Sequence, residues 1–176
     1  MNNNIKENYR SKQIIKNESY QDYLNKIEHL KNTNDNWIYN ILDGYEEKDN
    51  ILYSDDKFII LLPTIHDEKK LHLLAFVRDI NIRSLRDLNN SHISLLEHIY
   101  EKTTIFIESN YGINKNKLKV YIHYHPSTWV LHIHFNLIEN TDGASSVEYS
   151  HSLYNILNIL KMKSDYYQTI VMDVLY

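Results

Sequence analysis

The sequence predicts an α+β fold with a mostly antiparallel sheet and two main helices. Three observations predict it: short strand patterns that follow one another, two long amphipathic segments, and the absence of the βαβ rhythm that indicates a parallel sheet. Because neither an internal repeat nor an interdomain linker interrupts its 176 residues, the chain fits one domain with a sizeable core.

The amino-terminal part of the chain predicts little regular structure. Residues 1–18 are polar and show no periodicity, which indicates a flexible arm. Ser19 can cap a short helix with apolar residues at helical spacing, and this helix and a linker fill residues 19–36. The packed domain is predicted to span residues 37–176, beginning with the apolar run at Trp37.

Short apolar and β-branched runs predict the strands outside the histidine-rich segment. Residues 51–53 and 58–62 flank a pair of aspartates and predict a hairpin whose second strand ends at Pro63. Residues 71–77 predict a third strand, and residues 169–175 predict a last strand that closes the chain.

Two amphipathic segments predict the main helices. Residues 91–110 carry apolar side chains along one stripe and precede Gly112, a residue type common at helix ends. Ser145 and Glu148 have the spacing of a capping box, which predicts that the second helix begins there and carries Leu153 on its apolar face.

A hairpin with four histidines lies between these helices. From residue 130 to residue 137 polar and apolar side chains alternate, which is the pattern of a half-buried strand. The polar positions are His132, His134 and Asn136, and the apolar positions are Leu131, Ile133, Phe135 and Leu137. Residues 118–125 alternate in the same way and place His123 and His125 on their polar side. A proline and a serine after them supply the turn.

The alternation also predicts the register of this hairpin. Directly opposed residues of an antiparallel pair share a face, so His123 joins His132 and His134 only if the numbers of paired residues sum to an odd value. A four-residue loop with His125 opposite Val130 meets this condition. We expect this register, because burying imidazoles among aliphatic side chains without partners costs free energy.

The composition excludes several kinds of site. With no cysteine and three separate glycines, the chain can form neither a Cys-based zinc site nor a glycine-rich phosphate loop. No segment has the length of a membrane span and no signal peptide is visible, so we expect a soluble protein of the cytoplasm, with the nucleus as a further location. A net charge of -4 with scattered basic residues argues against long nucleic acid as a partner, but not against a small phosphorylated fragment.

The histidine face allows three interpretations. Its imidazoles could be structural, each satisfied by a hydrogen bond. His132 and His134 could bind zinc with His123 as a third ligand, although no carboxylate lies in the hairpin. Alternatively, one imidazole could attack a phosphoanhydride and hold the nucleotidyl group as a phosphoramidate. Its neighbours and the hydroxyl of Ser127 would then hold the phosphate oxygens, and neither a metal nor a glycine loop would be needed.

Three motifs at matching spacing resemble the scavenger mRNA decapping enzyme (DcpS) branch of the histidine triad (HIT) superfamily. They are residues 37–43, residues 82–88, and residues 120–127 leading into residues 131–135. The resemblance implies a HIT-like fold with a sheet continued across a homodimer. It also implies a metal-independent hydrolysis of the 5′-5′ triphosphate of short capped RNA fragments, which releases 7-methylguanosine monophosphate.

The resemblance implies roles for individual residues as well. His132 would be the nucleophile and would form the covalent nucleotidyl intermediate. The phosphates would bind to His123, His134 and Ser127, and the methylated guanine to Trp37, Glu47, Pro63 and Ile65. An aromatic face suits the cationic base. No cofactor and no metal are implied, and the expected partners are a methylated cap dinucleotide or short capped RNA and a second copy of the chain.

The sequence departs from the family pattern at several positions. Val130 replaces the first histidine of the triad, so that a pair remains. Thr64 and His66 stand where the family has an acidic residue and a lysine, and Tyr149 stands where it has an arginine. These departures leave two alternatives open, a cap-binding or regulatory module without turnover and a broader hydrolase of dinucleoside polyphosphates.

The family's separate amino-terminal domain, which covers the site as a lid, has no visible counterpart in the 36 residues before Trp37. A site without this lid would be more open, and closure would be less coupled between subunits. We therefore expect relaxed selectivity for the length of the capped RNA.

Overall fold

A computed structural model of the chain describes residues 13–30, 36–42, 50–63, 70–140 and 145–176, without the side chains of residues 36 and 37. The strands are β1 (Ile15–Glu18), β2 (Ile51–Ser54), β3 (Phe58–Leu61), β4 (His72–Val77), β5 (Leu118–His123), β6 (His132–Leu137), β7 (Ser150–Ser152) and β8 (Met172–Leu175). The helices are α1 (Tyr20–Leu30), α2 (Asn36–Leu42), α3 (Ile93–Tyr111), α4 (Leu153–Met162) and α5 (Tyr166–Thr169). All pairings among the described strands are antiparallel, which confirms the predicted α+β class.

Two sheets organise the molecule. The larger one has the strand order β2-β3-β4-β6-β5-β7, and the smaller one pairs β1 with β8. One face of the larger sheet, which includes Leu73 and Phe135, packs with α3 and α4 into the main core. The opposite face carries Phe76, which packs with Ile38 and Ile41 of α2 into a second, smaller core. The second face is the one that bears the histidines.

The register of the histidine hairpin agrees with the prediction, but the predicted four-residue loop was wrong, because β5 ends at His123 and β6 begins at His132. Tyr121 pairs with His134 and Lys119 pairs with Asn136, so the numbers of paired residues sum to an odd value. His123 therefore shares a face with the polar side chains of β6, because side chains alternate along both strands. The apolar side chains of β6 point the other way, into the main core.

The helices α1 and α3 begin and end close to the predicted positions. The hydroxyl of Ser19 accepts a hydrogen bond from the amide of Asp22 at 3.2 Å, as an N-terminal cap does. The helix α3 ends before Gly112, whose φ of 66° is a left-handed conformation that glycine adopts readily. No helix of the described ranges combines the length and apolar character that crossing a membrane requires.

The predicted start of the second main helix was wrong. The helix α4 begins at Leu153 rather than near the capping-box pattern of Ser145 and Glu148. Residues 150–152 form β7 instead, because their backbone pairs with residues 121–123 of β5. A local capping pattern thus yielded to strand pairing between distant parts of the chain.

The predicted arm of residues 1–18 was wrong for its last four residues. Ile15–Glu18 form β1 and pair with β8 at the other end of the chain, from Ile15 opposite Leu175 to Glu18 opposite Met172. Glu18 is buried, with 1% of its surface exposed. Residues 1–12 lie outside the described residues, and the predicted division at residues 19–36 and 37–176 stays a prediction.

Candidate active site

Four imidazoles meet on the second face of the larger sheet and form what we call the imidazole cluster, His72, His123, His132 and His134. The ring of His134 is central, with its centroid 4.1 Å from that of His123, 5.1 Å from that of His132 and 5.3 Å from that of His72. The structure thus brings together the three histidines that the sequence predicted and adds His72 from β4. Three adjacent strands hold them, so the cluster is positioned by regular hydrogen-bonded structure.

His132 has one nitrogen bound and one available. Its Nδ1 lies 2.8 Å from the carbonyl oxygen of Val130. A carbonyl oxygen can only accept, so Nδ1 carries the proton and Nε2 presents a lone pair. The ring also stacks on Phe76, with centroids 4.7 Å apart and planes 24° apart. Burial lowers the pKa of His132 to about 4, despite the hydrogen bond to Val130. A neutral imidazole with a free Nε2 is the form that can attack an electrophile.

His134 is buried and neutral, and one of its nitrogens has no hydrogen-bond partner among the described residues. Its Nδ1 lies 3.1 Å from Nε2 of His72, and its ring stacks on Tyr121 with planes 8° apart. Its Nε2 is buried and has no hydrogen-bond partner within the described residues. Burial lowers its pKa well below the ordinary value, and the neighbouring imidazoles of His132 and His123 lower it further.

The low pKa of His132 predicts how stability depends on pH. The folded protein binds the proton with a pKa of about 4, against an ordinary value of 6.5. Between these values the unfolded chain binds a proton that the folded chain excludes. The free energy of unfolding should therefore fall as the pH drops below 6.5, by about 3 kcal/mol from His132 alone.

Urea unfolding at several pH values between about 7 and 4 measures this effect. Replacing His132 by Asn should remove most of the pH dependence that His132 contributes to the free energy of unfolding. The matched control is His98→Asn, because His98 is half-exposed and pairs with Asp55 outside the cluster. This substitution should leave the pH dependence contributed by His132 unchanged. A wild-type free energy that stays level over this interval would contradict the prediction.

His123 forms the more exposed side of the cluster. It is half-buried at the end of β5, and its ring lies 4.5 Å from that of Tyr149. Tyr149 is the residue that replaces an arginine of the family pattern, so an aromatic side chain stands beside the cluster where that pattern has a cation. The cluster therefore has an aromatic ring rather than a fixed positive charge on this side.

The remaining predicted site residues differ in how far the structure places them. Ser127 is exposed in the connection between β5 and β6, and Pro63 is half-buried just after β3. The backbone of Trp37 lies in the first turn of α2, the helix that packs on Phe76 beside His132. Glu47 and Ile65 lie outside the described residues, as do Thr64 and His66. The roles of all these residues stay predictions.

The predicted placement of His125 on the polar face was wrong. β5 ends at His123, and the Nε2 of His125 lies 2.7 Å from a carboxylate oxygen of Glu18 and 2.8 Å from Nζ of Lys26. The chain turns away from the sheet at this point. His125 therefore connects the loop that carries Ser127 to the amino-terminal strand.

A buried ionic network surrounds this contact. Arg86 is fully buried and donates to the carbonyl oxygens of Glu18 at 2.5 Å, Tyr167 at 2.7 Å and Ile170 at 2.9 Å. The carboxylate of Glu18 also accepts from the hydroxyl of Tyr124 and lies 3.6 Å from Arg86. The burial of Arg86 could not be predicted from its neighbours in the sequence, because its partners lie in distant segments of the chain.

Sequence reasoning also missed His72. Residues 71–77 do not alternate, so they predict a strand without indicating which side chains share a face with His134. The pairing of β4 with β6, which places Leu74 opposite His134, joins segments 60 residues apart. Register between strands so distant in sequence leaves no local signal.

The zinc interpretation meets a geometric difficulty. Within the described ranges, no group of three or more His, Asp or Glu side chains is arranged to hold a metal ion. The rings of the cluster pack against one another, and Tyr121 stacks against His134. Zinc instead requires three or four nitrogen or oxygen atoms to converge on one point.

The chain is similar to a family of known proteins. The family model described as "Scavenger mRNA decapping enzyme C-term binding" matches residues 36–148, which include α2 and the histidine hairpin. The m7GpppX diphosphatase of Ascaris suum is 37% identical over 139 residues, 75% of this chain and 46% of that protein. The m7GpppX diphosphatase of Homo sapiens is 32% identical over 161 residues, 86% of this chain and 48% of that protein. The chain thus spans about half the length of the curated relatives it matches.

A solved structure of the aprataxin orthologue Hnt3 from Schizosaccharomyces pombe is 18% identical, with a TM-score of 0.41 over 62% of this chain and 61% of that one. That likeness is too distant to bear on function. The family model, in contrast, covers more than half of the chain, including the described strands β2 to β6. The chain therefore belongs to the scavenger mRNA decapping enzyme family, to the carboxyl-terminal region that its model describes.

Proposed function

We propose that this chain hydrolyses the 5′-5′ triphosphate of methylated cap structures and releases 7-methylguanosine monophosphate. The observation that carries the proposal is the geometry of His132, whose Nδ1 is held by the carbonyl of Val130 so that Nε2 presents a lone pair beside the imidazole of His134. The family supplies the substrate, because curated relatives of about twice the length are m7GpppX diphosphatases. A cap dinucleotide or a short capped RNA is the proposed substrate.

In the first step, Nε2 of His132 attacks the phosphorus next to methylguanosine. A P–N bond forms as the P–O bond to the remaining diphosphate breaks, and the departing oxygen keeps the electron pair. The imidazole becomes cationic, and its Nδ1–H remains hydrogen-bonded to the carbonyl of Val130, which stabilises the new charge. The neighbouring imidazoles of His123 and His134 hold phosphate oxygens through hydrogen bonds, and the nucleoside diphosphate leaves as an anion.

In the second step, water attacks the same phosphorus. The P–N bond breaks, its electron pair returns to Nε2 of His132, and the proton released by the attacking water passes to solvent as 7-methylguanosine monophosphate departs. Splitting one displacement into two lets the same imidazole serve as nucleophile and leaving group. The chemistry of both steps is carried by side chains of β5 and β6.

The base is proposed to bind beside α2. Trp37 would stack on the methylated guanine, Glu47 would accept from its edge, and Ile65 with Pro63 would flank it. The packing of α2 against Phe76 supports this arrangement, because it holds the backbone of Trp37 on the side of the sheet that bears His132.

A homodimer with a continued sheet is part of the proposal. Within the described residues β7 pairs with residues 121–123 of β5, which leaves residues 118–120 at the sheet edge. A cavity of about 450 Å³ lies at this edge and is lined by Tyr100, Val120 and Leu157 among others. Apolar surface beside a strand edge is a feature that a second copy of the chain could cover.

The proposal is tested by incubating the pure protein with methylated cap dinucleotide in excess EDTA and following 7-methylguanosine monophosphate. We expect release without added metal, and faster release than from the unmethylated dinucleotide. Tight binding without release, with or without metal, would instead identify a binding module. Activity lost in EDTA and restored by zinc would favour a metal site, and equal rates on unmethylated dinucleoside polyphosphates would indicate a broader hydrolase.

A further inference from the structure

The hydrogen bond between His72 and His134 joins two neighbouring strands diagonally. His72 lies opposite Asn136 and Leu74 lies opposite His134, and diagonal neighbours in an antiparallel sheet are within reach of long side chains. Nε2 of His72 is 3.1 Å from Nδ1 of His134. The two ring planes are 22° apart and their centroids are 5.3 Å apart. Nearly coplanar rings joined nitrogen to nitrogen form an edge-to-edge hydrogen bond rather than a face-to-face stack.

The opposite nitrogen of His134 is prepared for a ligand. Its Nε2 is buried without a hydrogen-bond partner among the described residues, and 6% of the residue is exposed. A buried polar atom left without a partner costs about 1–3 kcal/mol. Turning the ring by 180° would lose the hydrogen bond to His72, because a carbon would then take the place of Nδ1. The ring that carries it lies beside that of His132, the proposed nucleophile, with centroids 5.1 Å apart.

The tautomer of His134 decides whether it attracts or repels a phosphate of the proposed substrate. A neutral imidazole has one N–H and one lone pair. If Nδ1 donates to His72, Nε2 presents a lone pair to the phosphate oxygens and repels them. If Nε2 of His72 donates instead, Nδ1 of His134 accepts and its Nε2 carries the hydrogen. That second arrangement donates a hydrogen bond to an anion.

We propose that His72 is a positioning residue that fixes His134 in the tautomer with Nε2–H, so that His134 donates to a phosphate oxygen. The inference rests on the proposed function for the identity of the ligand. His132 offers a comparison within the same site. The carbonyl of Val130 fixes it in the opposite tautomer, with the hydrogen on Nδ1. Two imidazoles 5.1 Å apart are thereby held as a nucleophile and as a hydrogen-bond donor.

Two substitutions of His72 separate hydrogen bonding from ring packing. His72→Phe keeps an aromatic ring but cannot donate, whereas His72→Gln places an amide N–H near the position of Nε2. We expect His72→Phe to lower kcat for cap hydrolysis about tenfold to a hundredfold, and His72→Gln to recover to within a few fold of wild type. His98→Phe is the matched control, because His98 pairs with Asp55 at 2.9 Å outside the cluster, and we expect its kcat to stay unchanged.

Nitrogen NMR of the free protein reads the tautomers directly. We expect His134 as Nε2–H and His132 as Nδ1–H in the wild type, and a shift of His134 toward Nδ1–H in His72→Phe. Wild-type His134 found as Nδ1–H, or a His72→Phe variant with wild-type kcat, would overturn the inference. Because the spectra need no substrate, a failure of wild-type protein to cleave caps would count against the proposed function and leave the tautomer assignment to be decided separately.

Discussion

Replacing His132 by Asn is expected to abolish cap hydrolysis while leaving cap binding within a few fold. The Asn amide can still donate to the carbonyl of Val130, which now accepts from Nδ1 of His132 at 2.8 Å. The variant lacks the Nε2 lone pair, so no P–N bond can form. Loss of a covalent nucleophile lowers turnover by about 10⁴-fold or more. The measurement pairs the initial rate of 7-methylguanosine monophosphate release with equilibrium binding of the cap dinucleotide.

The matched control is His98→Asn, the same exchange at a histidine that contacts Asp55 and Phe58 away from the cluster. It should retain the wild-type rate. Mass spectrometry of the alkali-quenched reaction should find the nucleotidyl adduct on wild-type protein and not on the His132 variant. A His132→Asn protein that cleaves at near the wild-type rate would remove His132 from the nucleophile role.

Replacing Glu18 by Gln is expected to cost about 3 kcal/mol in the free energy of unfolding at pH 7. Glu18 is 1% exposed and Arg86 is fully buried, and removing one charge of a buried pair leaves the other uncompensated, at about 3–5 kcal/mol. The lower end applies, because Arg86 keeps its three carbonyl acceptors. Urea unfolding followed by circular dichroism measures the difference.

The pH dependence supplies an independent check. Burial alone would raise the pKa of Glu18, but hydrogen bonds from His125 and Tyr124 outweigh it and lower the pKa from 4.5 to about 2. The stabilisation is therefore present above pH 4.5 and lost as the pH falls toward 2. The difference between wild type and Glu18→Gln should shrink over that interval.

Glu97→Gln is the control for Glu18, because Glu97 pairs with Lys161 at 2.7 Å with about half of each side chain exposed. Exposed pairs contribute about 0–1 kcal/mol. Equal destabilisation by the two substitutions would mean that the Glu18 network contributes no more than a surface ion pair.

Local patterns predicted the part of the site that lies on consecutive strands. Alternation in β6 separated His132 and His134 from Phe135, and the same alternation in β5 set the register that brings His123 beside them. Gly112 likewise marked the end of α3. These features depend on residues within one strand, one turn or one helix, where backbone geometry and side-chain direction are directly coupled.

Features that depend on distant pairing could not be predicted. His72 reaches the cluster only through the pairing of β4 with β6, and residues 150–152 form a strand only because β5 is beside them. Glu18 lies in a polar stretch typical of an unstructured arm. Its burial follows from the position of Arg86, whose guanidinium needs acceptors wherever the fold encloses it.

The pairing of β1 with β8 closes the described chain on itself. Ile14 and Tyr176 exchange hydrogen bonds at 3.1 and 2.9 Å, so the first and last strands hold each other rather than fray independently. Their amides should exchange with solvent through one shared opening event, with a single free energy for both strands. Because His125 joins Glu18 to the loop that carries Ser127, that opening would also release this loop. The strands β1 and β8 and the connection between β5 and β6 would thus form one cooperative unit.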